Sequence, residues 1–250
     1  MLYAIMSDIH ANPSALEKAL ADAKEQGAEK VICLGDVVGY GPDPAEAVAL
    51  CRESCDVVLM GNHDAAVAGS LRTDNFIEFA RDGVRRHVAE LSSEDIAWLR
   101  GLPYMHKGRT FAGVHGTLVG PEHFFYMYDA EQIVGSLMRM AEIRRRLLFV
   151  GHTHHACGFV AGEGGRIRMF GPDKELAMEP KARYIVNVGS VGYPRADLDI
   201  TYVLYDTRAK KVTFRHLPFD FSRYVARLEA KRVTLPLWLA DHMRRMKGTD

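Results

Sequence analysis

Residues 2–13 read LYAIMSDIHANP, residues 31–36 read VICLGD, and residues 57–64 read VVLMGNHD. Each stretch is a short apolar run that ends in polar side chains. Helix-start signals stand between the runs, because Asn12 and Asp43 are capping residues that each precede a proline. Strands and helices therefore alternate at a spacing that predicts right-handed crossovers and a parallel sheet.

The pattern changes after residue 150. Before it, helices are predicted over about 74–90, 93–100 and 129–146, and strands over 109–114 and 147–150. After it come short strands joined by Gly, Pro and Asp turns, at 156–160, 166–170, 184–188, 201–205 and 212–217. No linker separates these parts, so we predict one α/β domain over 1–250, with a helical tail over about 221–250. Two packed sheets with helices outside fit this order of elements.

Composition and charge exclude several classes of protein. The 250 residues are 48% hydrophobic and 26% charged, which is enough apolar material for a core and excludes a disordered chain. The 32 basic and 32 acidic residues give zero formal net charge, so the overall electrostatic signal of a nucleic-acid-binding protein is missing. No stretch approaches the roughly 18 apolar residues that a membrane span requires.

The N-terminal segment and the cysteine spacing indicate the cellular compartment in which the protein is expected. The opening segment MLYAIMSDIHANP has no basic region and reaches Asp8 too early for a signal peptide. The four cysteines show no paired metal-ligand spacing; they are Cys33, Cys51, Cys55 and Cys157. We therefore expect free, reduced thiols in a cytoplasmic protein.

Five of the apolar runs end in side chains that bind metals. These ends are Asp8-Ile9-His10, Gly35-Asp36, Gly61-Asn62-His63-Asp64, His115-Gly116 and Gly151-His152-Thr153-His154. In open α/β sheets, ligands bind outside the carboxyl ends of the strands, so these groups are expected to converge on one crevice. Residues two apart in a strand share a face. The polar residues of the first motif, and the two histidines of the last, are therefore expected to act in pairs if the chain stays extended.

These motifs supply three carboxylates, one amide and five imidazoles. Mixed carboxylate and imidazole ligands suit borderline divalent ions such as manganese, iron, zinc or cobalt. The ligands are too many for one ion, and two ions about 3.5–4 Å apart that share a carboxylate would use them all. Such a pair of ions clamps the oxygens of a phosphoryl group during an in-line displacement.

In this order the motifs resemble the calcineurin-like metallophosphoesterase family, whose signature is D-x-H, G-D, G-N-H-D/E, a lone H and G-H-x-H. The segment Asn187-Val188-Gly189-Ser190 and the closing strands resemble the family's second sheet, so the likeness covers nearly the whole chain. The resemblance implies a four-layer α-β-β-α sandwich of two packed mixed sheets. It also implies a metal-dependent phosphoric ester hydrolase.

The resemblance further implies a role for each matching residue. One ion would be held by Asp8, His10 and His154, and the other by Asn62, His115 and His152. Asp36 would bridge the ions together with a water or hydroxide that attacks phosphorus. His63 would protonate the leaving oxygen or stabilise charge on the phosphoryl group, and Asp64 would fix the tautomer and orientation of His63. Manganese is the expected metal, with iron, zinc, cobalt or nickel as alternatives.

Departures from the family pattern reduce the number of substrate classes that we expect. Residues 35–41 read GDVVGYG and lack the arginine of the G-D-x-x-D-R-G motif in the protein phosphatase branch. SDIHAN at 7–12 and GYGPDP at 39–44 resemble small prokaryotic phosphodiesterases, some of them linked to dinucleoside polyphosphates. We therefore predict hydrolysis of phosphodiester or phosphoanhydride bonds in a small nucleotide-like substrate. The candidate substrate contacts are Asn62, Tyr193 and Arg195.

Two other functions stay open. A phosphomonoesterase acting on small molecules or phosphoproteins would need a basic group for the extra charge, and Arg195 is the candidate. A non-catalytic scaffold, as in the family's retromer-subunit relatives, predicts lost ligands, and none is lost here.

The expected partner is a small phosphoester substrate, with no membrane and no nucleic acid. The aromatic cluster of Phe124, Phe125, Tyr126 and Tyr128 would either wall the substrate crevice and stack a base, or pack into a core or dimer contact. A homo-oligomer stays open as well, because residues 236–246 read as an amphipathic helix that would dock on its own core or on a second subunit.

Overall fold

The computed structural model describes residues 1–172, 175–195 and 198–235, and Leu239. The strands in chain order are β1 (Leu2–Met6), β2 (Lys30–Cys33), β3 (Val57–Val58), β4 (Met105–Lys107), β5 (Ala112–Val114), β6 (Leu147–Val150), β7 (Cys157–Ala161), β8 (Ile167–Phe170), β9 (Leu176–Ala177), β10 (Arg183–Asn187), β11 (Asp199–Asp206) and β12 (Lys211–Pro218). The α-helices are α1 (Pro13–Glu25), α2 (Pro44–Ser54), α3 (Asn62–Val67), α4 (Glu78–Glu90), α5 (Ser93–Arg100), α6 (Ala130–Glu142) and α7 (Phe221–Ala230).

The two proline-led helices begin where the sequence predicts, but only one of them is capped by its side chain. The Asn12 amide oxygen accepts a hydrogen bond from the backbone N–H of Ala15 at 3.2 Å, which satisfies one free donor of α1. The Asp43 carboxylate makes no such bond to α2. It instead accepts from Nε of Arg227 at 2.9 Å, which joins α2 to α7 across the chain.

The strands form two six-stranded mixed sheets. The first has the order β3-β2-β1-β11-β12-β9, and the second has the order β4-β5-β6-β10-β7-β8. In the first sheet, β1, β2 and β3 run parallel, and β11 is antiparallel to β1. In the second, β5, β6 and β10 run parallel, and β7 is antiparallel to β10. The parallel strands of both sheets thus carry the five motifs at or beyond their carboxyl ends.

The buried residues divide into the layers that this topology requires. Between the sheets, Ile5 and Ile32 belong to one apolar cluster with Phe149 and Tyr184. On the other face of the first sheet, alternate strand residues pack with α1 and α2. On the other face of the second sheet, Leu148 and its neighbours pack with α6. The predicted four-layer α-β-β-α sandwich is therefore confirmed.

Several predicted boundaries are wrong, each for a local reason. The strand predicted over 109–114 is confirmed only as β5, because residues 108–111 form the turn that joins β5 to the unpredicted strand β4 in a hairpin. The helix predicted over 129–146 ends at Glu142, because Arg144 adopts a left-handed φ of 57° and the N–H of Arg145 closes back on the carbonyl of Met140. The helix predicted from about residue 74 begins at Glu78, and the short β9 was not predicted.

The predicted helical tail is present only in part. Helix α7 stops at Ala230, where Arg232 is left-handed with φ 55° and the N–H of Val233 donates to the carbonyl of Leu228 at 2.8 Å. Apart from Leu239, the residues of the helix predicted over 236–246 lie outside the described part of the chain. Among the residues that are described, no helix combines the length and the apolar character needed to cross a membrane.

Candidate metal centre

All seven predicted metal ligands meet at one place, between 0% and 8% exposed. Their donor atoms form two groups in which every atom lies within 4.8 Å of the others: Asp8, His10 and His154 in one, and Asp36, His115 and His152 in the other. A third such group joins His10 and Asp36 to His63, which was not predicted as a ligand. The amide oxygen of Asn62 lies 3.2 Å from Nε2 of His115, which adds it to the second group. The convergence predicted from the strand ends is therefore present in the structure.

The backbone brings these side chains together by leaving the extended conformation. Asp8, His10, Asp36, His152 and His154 all have φ between 48° and 66°. Residues other than glycine rarely adopt this left-handed region, and such strain is characteristic of functional sites. The expectation of paired residues on a continuing strand is therefore wrong, because β1 and β6 end before their motifs and tight turns aim the ligands.

Backbone carbonyls fix the orientation of three of the histidines. The Nδ1 atoms of His10, His115 and His154 lie 3.1, 3.2 and 2.7 Å from the carbonyl oxygens of Val38, Leu34 and Tyr193. A carbonyl only accepts hydrogen bonds, so each Nδ1 carries a proton, and in the neutral form of each ring Nε2 presents its lone pair. This is the orientation that metal-binding histidines normally receive from a second partner.

In the first group these lone pairs face one another. Nε2 of His10 lies 3.1 Å from Nε2 of His154, and a carboxylate oxygen of Asp8 without a hydrogen-bond partner lies 3.2 Å from the same atom of His154. Burial lowers the pKa of His154 to about 4, so that ring is neutral at pH 7 and no added proton separates the donors. A divalent cation among these three atoms would convert their repulsion into coordination.

The second group also brings nitrogen and oxygen donors face to face, and its Asp36 carboxylate lies close to a histidine of the first group. Nε2 of His115 lies 3.3 Å from Oδ2 of Asp36 and 3.2 Å from Nδ1 of His152. The same Asp36 oxygen is 3.7 Å from Nε2 of His10. Burial disfavours the charged form of His115, but the Asp36 carboxylate outweighs it and raises the pKa of His115 to about 9. Without a metal this pKa leaves a proton on Nε2 of His115, which a bound cation would replace, and the donors of the group fit a divalent ion.

The His63 side chain lies beside the ligands but takes no part in the hydrogen bonds among them. Its ring packs against Tyr40 and Phe76, with ring centroids 4.5 and 5.0 Å away, and its buried Nδ1 has no hydrogen-bond partner. Burial lowers the pKa of His63 well below its usual value. Gly39, with φ 93°, makes room for this ring, because a Cβ at that position would lie 2.3 Å from Nδ1.

The role predicted for Asp64 is wrong. Its two carboxylate oxygens accept the backbone N–H groups of Val38 and Gly61, at 3.1 and 3.0 Å. Neither oxygen bonds to His63. Asp64 is the third residue of α3, and its carboxylate ties the start of that helix to the loop after β2. It therefore shapes the site through the backbone.

One contributor, His87, lies outside the five motifs, and the sequence did not predict a role for it at this site. His87 is fully buried; its Nδ1 accepts the N–H of Gly39 and its Nε2–H donates to the carbonyl of Gly41, both at 3.0 Å. Burial lowers the pKa of His87 to about 3, which keeps the ring neutral for this pair of bonds. His87 thus holds the loop against which the His63 ring packs, and no local motif signals that contact.

A cavity of about 360 Å³ adjoins the cluster. Asn62, His63 and His152 form the part of its wall that borders the ligands, and Arg195 also lines it. Arg195 donates to the Tyr40 hydroxyl at 3.4 Å. Tyr193 is 4% exposed and stacks on Tyr40 with centroids 4.4 Å apart, so its predicted contact with substrate stays a prediction.

Adding Mn²⁺ to chelator-treated protein is expected to raise its melting temperature by about 5–10 °C. Occupancy at about 100 times the dissociation constant contributes about 2.7 kcal/mol, and a chain of this length gains about 2–4 °C per kcal/mol. Differential scanning fluorimetry measures the shift. Ca²⁺ is the control and should raise the melting temperature less, because imidazole nitrogen is a poor ligand for it. Equal shifts with the two ions, or none with Mn²⁺, would contradict the metal centre.

Comparisons with known proteins agree with this geometry. The calcineurin-like phosphoesterase superfamily domain matches residues 1–210. An uncharacterized protein of Methanocaldococcus jannaschii is 29% identical over 247 residues, which cover 97% of each chain. A metallophosphoesterase structure from Sphaerobacter thermophilus is 31% identical, with a TM-score of 0.78 and 96% of each chain covered. A hypothetical protein of Pyrococcus horikoshii shares the fold, at 20% identity, a TM-score of 0.72 and 95% coverage of each chain.

The family predicted from the five motifs is thus confirmed. The family match and the two donor groups together support a metal-dependent phosphoester hydrolase. This chain belongs to the calcineurin-like phosphoesterase superfamily.

Proposed function

We propose that this protein hydrolyses phosphodiester or phosphoanhydride bonds in a small nucleotide-like substrate. One observation carries the proposal: the donor groups open into a cavity of about 360 Å³, far more room than a phosphate group needs. Ligand pockets commonly fall between about 300 and 1,000 Å³. A substituent on each side of the phosphorus atom would use that room, which favours a diester or an anhydride over a bare phosphate.

Two ions would be held by separate sets of donor atoms, and we propose that both ions are manganese. Asp8, His10 and His154 would hold one, Asn62, His115 and His152 the other, and Asp36 would contact both. Bound there, such ions supply Lewis acidity and a water acidic enough to act as a nucleophile near neutral pH. The carbonyl-bonded Nδ1 atoms keep the histidine rings from turning, so the donors are already in place.

His63 would handle the leaving group. It lines the cavity between Asn62 and the aromatic wall, and its neutral ring carries one N–H. From that position the N–H would donate to the leaving oxygen or to a phosphoryl oxygen as negative charge develops there.

A phosphomonoesterase is the second candidate, and one observation favours it. Arg195 lines the same cavity, where its guanidinium would pair with the additional charge of a monoester. The four free thiols support our proposal of a reducing, cytoplasmic compartment for either activity.

Hydrolysis assays separate the candidates. Chelator-treated protein would be supplied with Mn²⁺ and given bis(p-nitrophenyl) phosphate and p-nitrophenyl phosphate in parallel. We expect metal-dependent cleavage, with kcat/KM at least about tenfold higher for the diester, a difference of about 1.4 kcal/mol in transition-state binding. A preference for the monoester would replace the proposal with the phosphatase. No cleavage of either ester by protein with two bound ions would favour the scaffold.

A further inference from the structure

The aromatic cluster that follows β5 divides into a buried and an exposed part. Phe124 is 6% exposed and packs near Tyr104, whereas Phe125, Tyr126 and Tyr128 are 44%, 46% and 57% exposed. Phe124 has a left-handed φ of 53°, which turns the chain between the two parts. The cluster is therefore not simply a core contact, and three large rings remain at the surface.

Tyr126 differs from the other exposed rings because it lines the cavity beside the metal centre. Its ring lies nearly parallel to that of His152, with centroids 3.9 Å apart and planes at 16°. It is also parallel to Tyr128, at 5.6 Å and 8°. The tilt of the Tyr126 ring is thus set by a metal-centre histidine and a second tyrosine, and the 46% of Tyr126 that stays exposed is the part open to a ligand.

The backbone that carries Tyr126 lies against the metal centre. A Cβ at Gly116, directly after His115, would meet the carbonyl oxygen of Phe125 at 2.7 Å. This close contact fixes the distance between the aromatic segment and the end of β5. Because little side-chain or loop freedom is left to lose on binding, a ring held in this way binds a planar partner at low entropic cost.

The remaining lining completes a site for a flat, anionic ligand. Phe76 and Ile77, from the segment before and at the start of α4, line the same cavity, and Ile77 is 67% exposed. Two cationic side chains lie in the lining as well: Arg195, and Arg72, whose charge is paired with Asp74 at 2.7 Å. Among the described residues the cavity lining contains no acidic side chain. Apolar and aromatic walls with positive charge suit a planar ring joined to a phosphate.

We propose that Tyr126 is the stacking platform for the base of a nucleoside phosphoester whose phosphorus sits at the metal centre. This inference rests on the function proposed above and deepens it by naming the side chain that would recognise the base. Tyr126 would then determine specificity and would take no part in bond cleavage. Stacking on an aromatic side chain accepts any base, so we expect recognition of nucleotides as a class.

Calorimetric titration of Mn²⁺-loaded protein tests the proposal through binding affinity, which does not require hydrolysis of a phosphodiester. The probes are AMP and ribose 5-phosphate, which differ by the base alone. We expect AMP to bind at least about tenfold more tightly to the unaltered protein, as one stacked base implies. In Tyr126→Ala the two affinities should come within about twofold of each other, and Tyr126→Phe should keep most of the preference.

Two controls make the result specific. Phe125→Ala removes a neighbouring exposed ring that does not line the cavity, so it should leave the AMP preference within about twofold of its original value. The affinity of Tyr126→Ala for ribose 5-phosphate, with its bound manganese, shows whether His152 and the metal centre are disturbed. Equal loss of both ligands would assign Tyr126 a structural role and overturn the proposal.

The inference and the proposed function can fail separately. Equal affinity of the unaltered protein for AMP and ribose 5-phosphate, together with active cleavage of phosphodiesters, would overturn the stacking platform and leave the hydrolase. A base preference that depends on Tyr126, without cleavage of any phosphoester, would support nucleotide binding and remove the proposed hydrolysis.

Discussion

Asp36→Asn is expected to lower kcat/KM for a phosphodiester by about a thousandfold or more. Metal ions stabilise transition-state charge by several kcal/mol, and Asp36 is the carboxylate that contacts both donor groups. Its other oxygen accepts the backbone N–H of His63 at 2.9 Å, and an amide oxygen keeps that bond. The substitution therefore removes the charge and one donor while it preserves the local fold.

Metal content and activity should fall together in this variant. Elemental analysis is expected to find at least one of the two ions lost, and added Mn²⁺ should restore little activity. Asp22→Asn is the matched control. Asp22 lies on α1, away from the donor groups, and forms an ion pair with Arg215 at 2.7 Å. The control should lose stability but keep its metal. Full metal content and near-normal activity in Asp36→Asn would rule out a shared carboxylate.

His63→Ala is expected to lower kcat by about 10²–10⁴-fold, the usual contribution of a general acid or base. The reason is its position: the ring lines the cavity beside the ligands, yet its own bonds are not committed to them. The metal content should stay unchanged, because the seven proposed ligands remain. Steady-state kinetics with elemental analysis checks both expectations.

The leaving group distinguishes the two roles considered for His63. If the ring protonates the leaving oxygen, the loss in His63→Ala should be much larger for an alkyl leaving group than for p-nitrophenolate, which departs without a proton. If it stabilises charge on the phosphoryl group, the loss should be similar for both. His216→Ala, an exposed imidazole on β12, is the control and should keep its activity. An unchanged kcat with both esters would remove His63 from the mechanism.

The sequence was sufficient to predict the layers of the fold and the place where the donor side chains meet. Apolar periodicity identifies a strand or a helix because side chains alternate or turn with the local backbone. Asn12-Pro13 marks the start of α1 for the same local reason. Aspartates and histidines at the ends of successive strands are predicted to lie close together, because the carboxyl ends of parallel strands are at the same edge of a sheet.

The C-terminal ends of helices were harder to predict. Helix α6 stops at Glu142 because Arg144 takes a left-handed conformation, which glycine normally provides. Arginine favours helix continuation, so the sequence predicted a longer one. The break is set by the entry of the chain into β6, which begins at Leu147.

Only the tertiary structure decided how the site residues are held. The carbonyl that orients His115 comes from Leu34, 81 residues away, and the bonds that place the loop beside His63 come from His87. The division of the aromatic cluster, with Phe124 inside and Tyr126 at the cavity, has the same origin. The sequence alone determined which chemical groups are present and near which strand ends. Tautomers, left-handed turns and ring stacking depend on contacts between distant segments, and these exist only once the two sheets have packed.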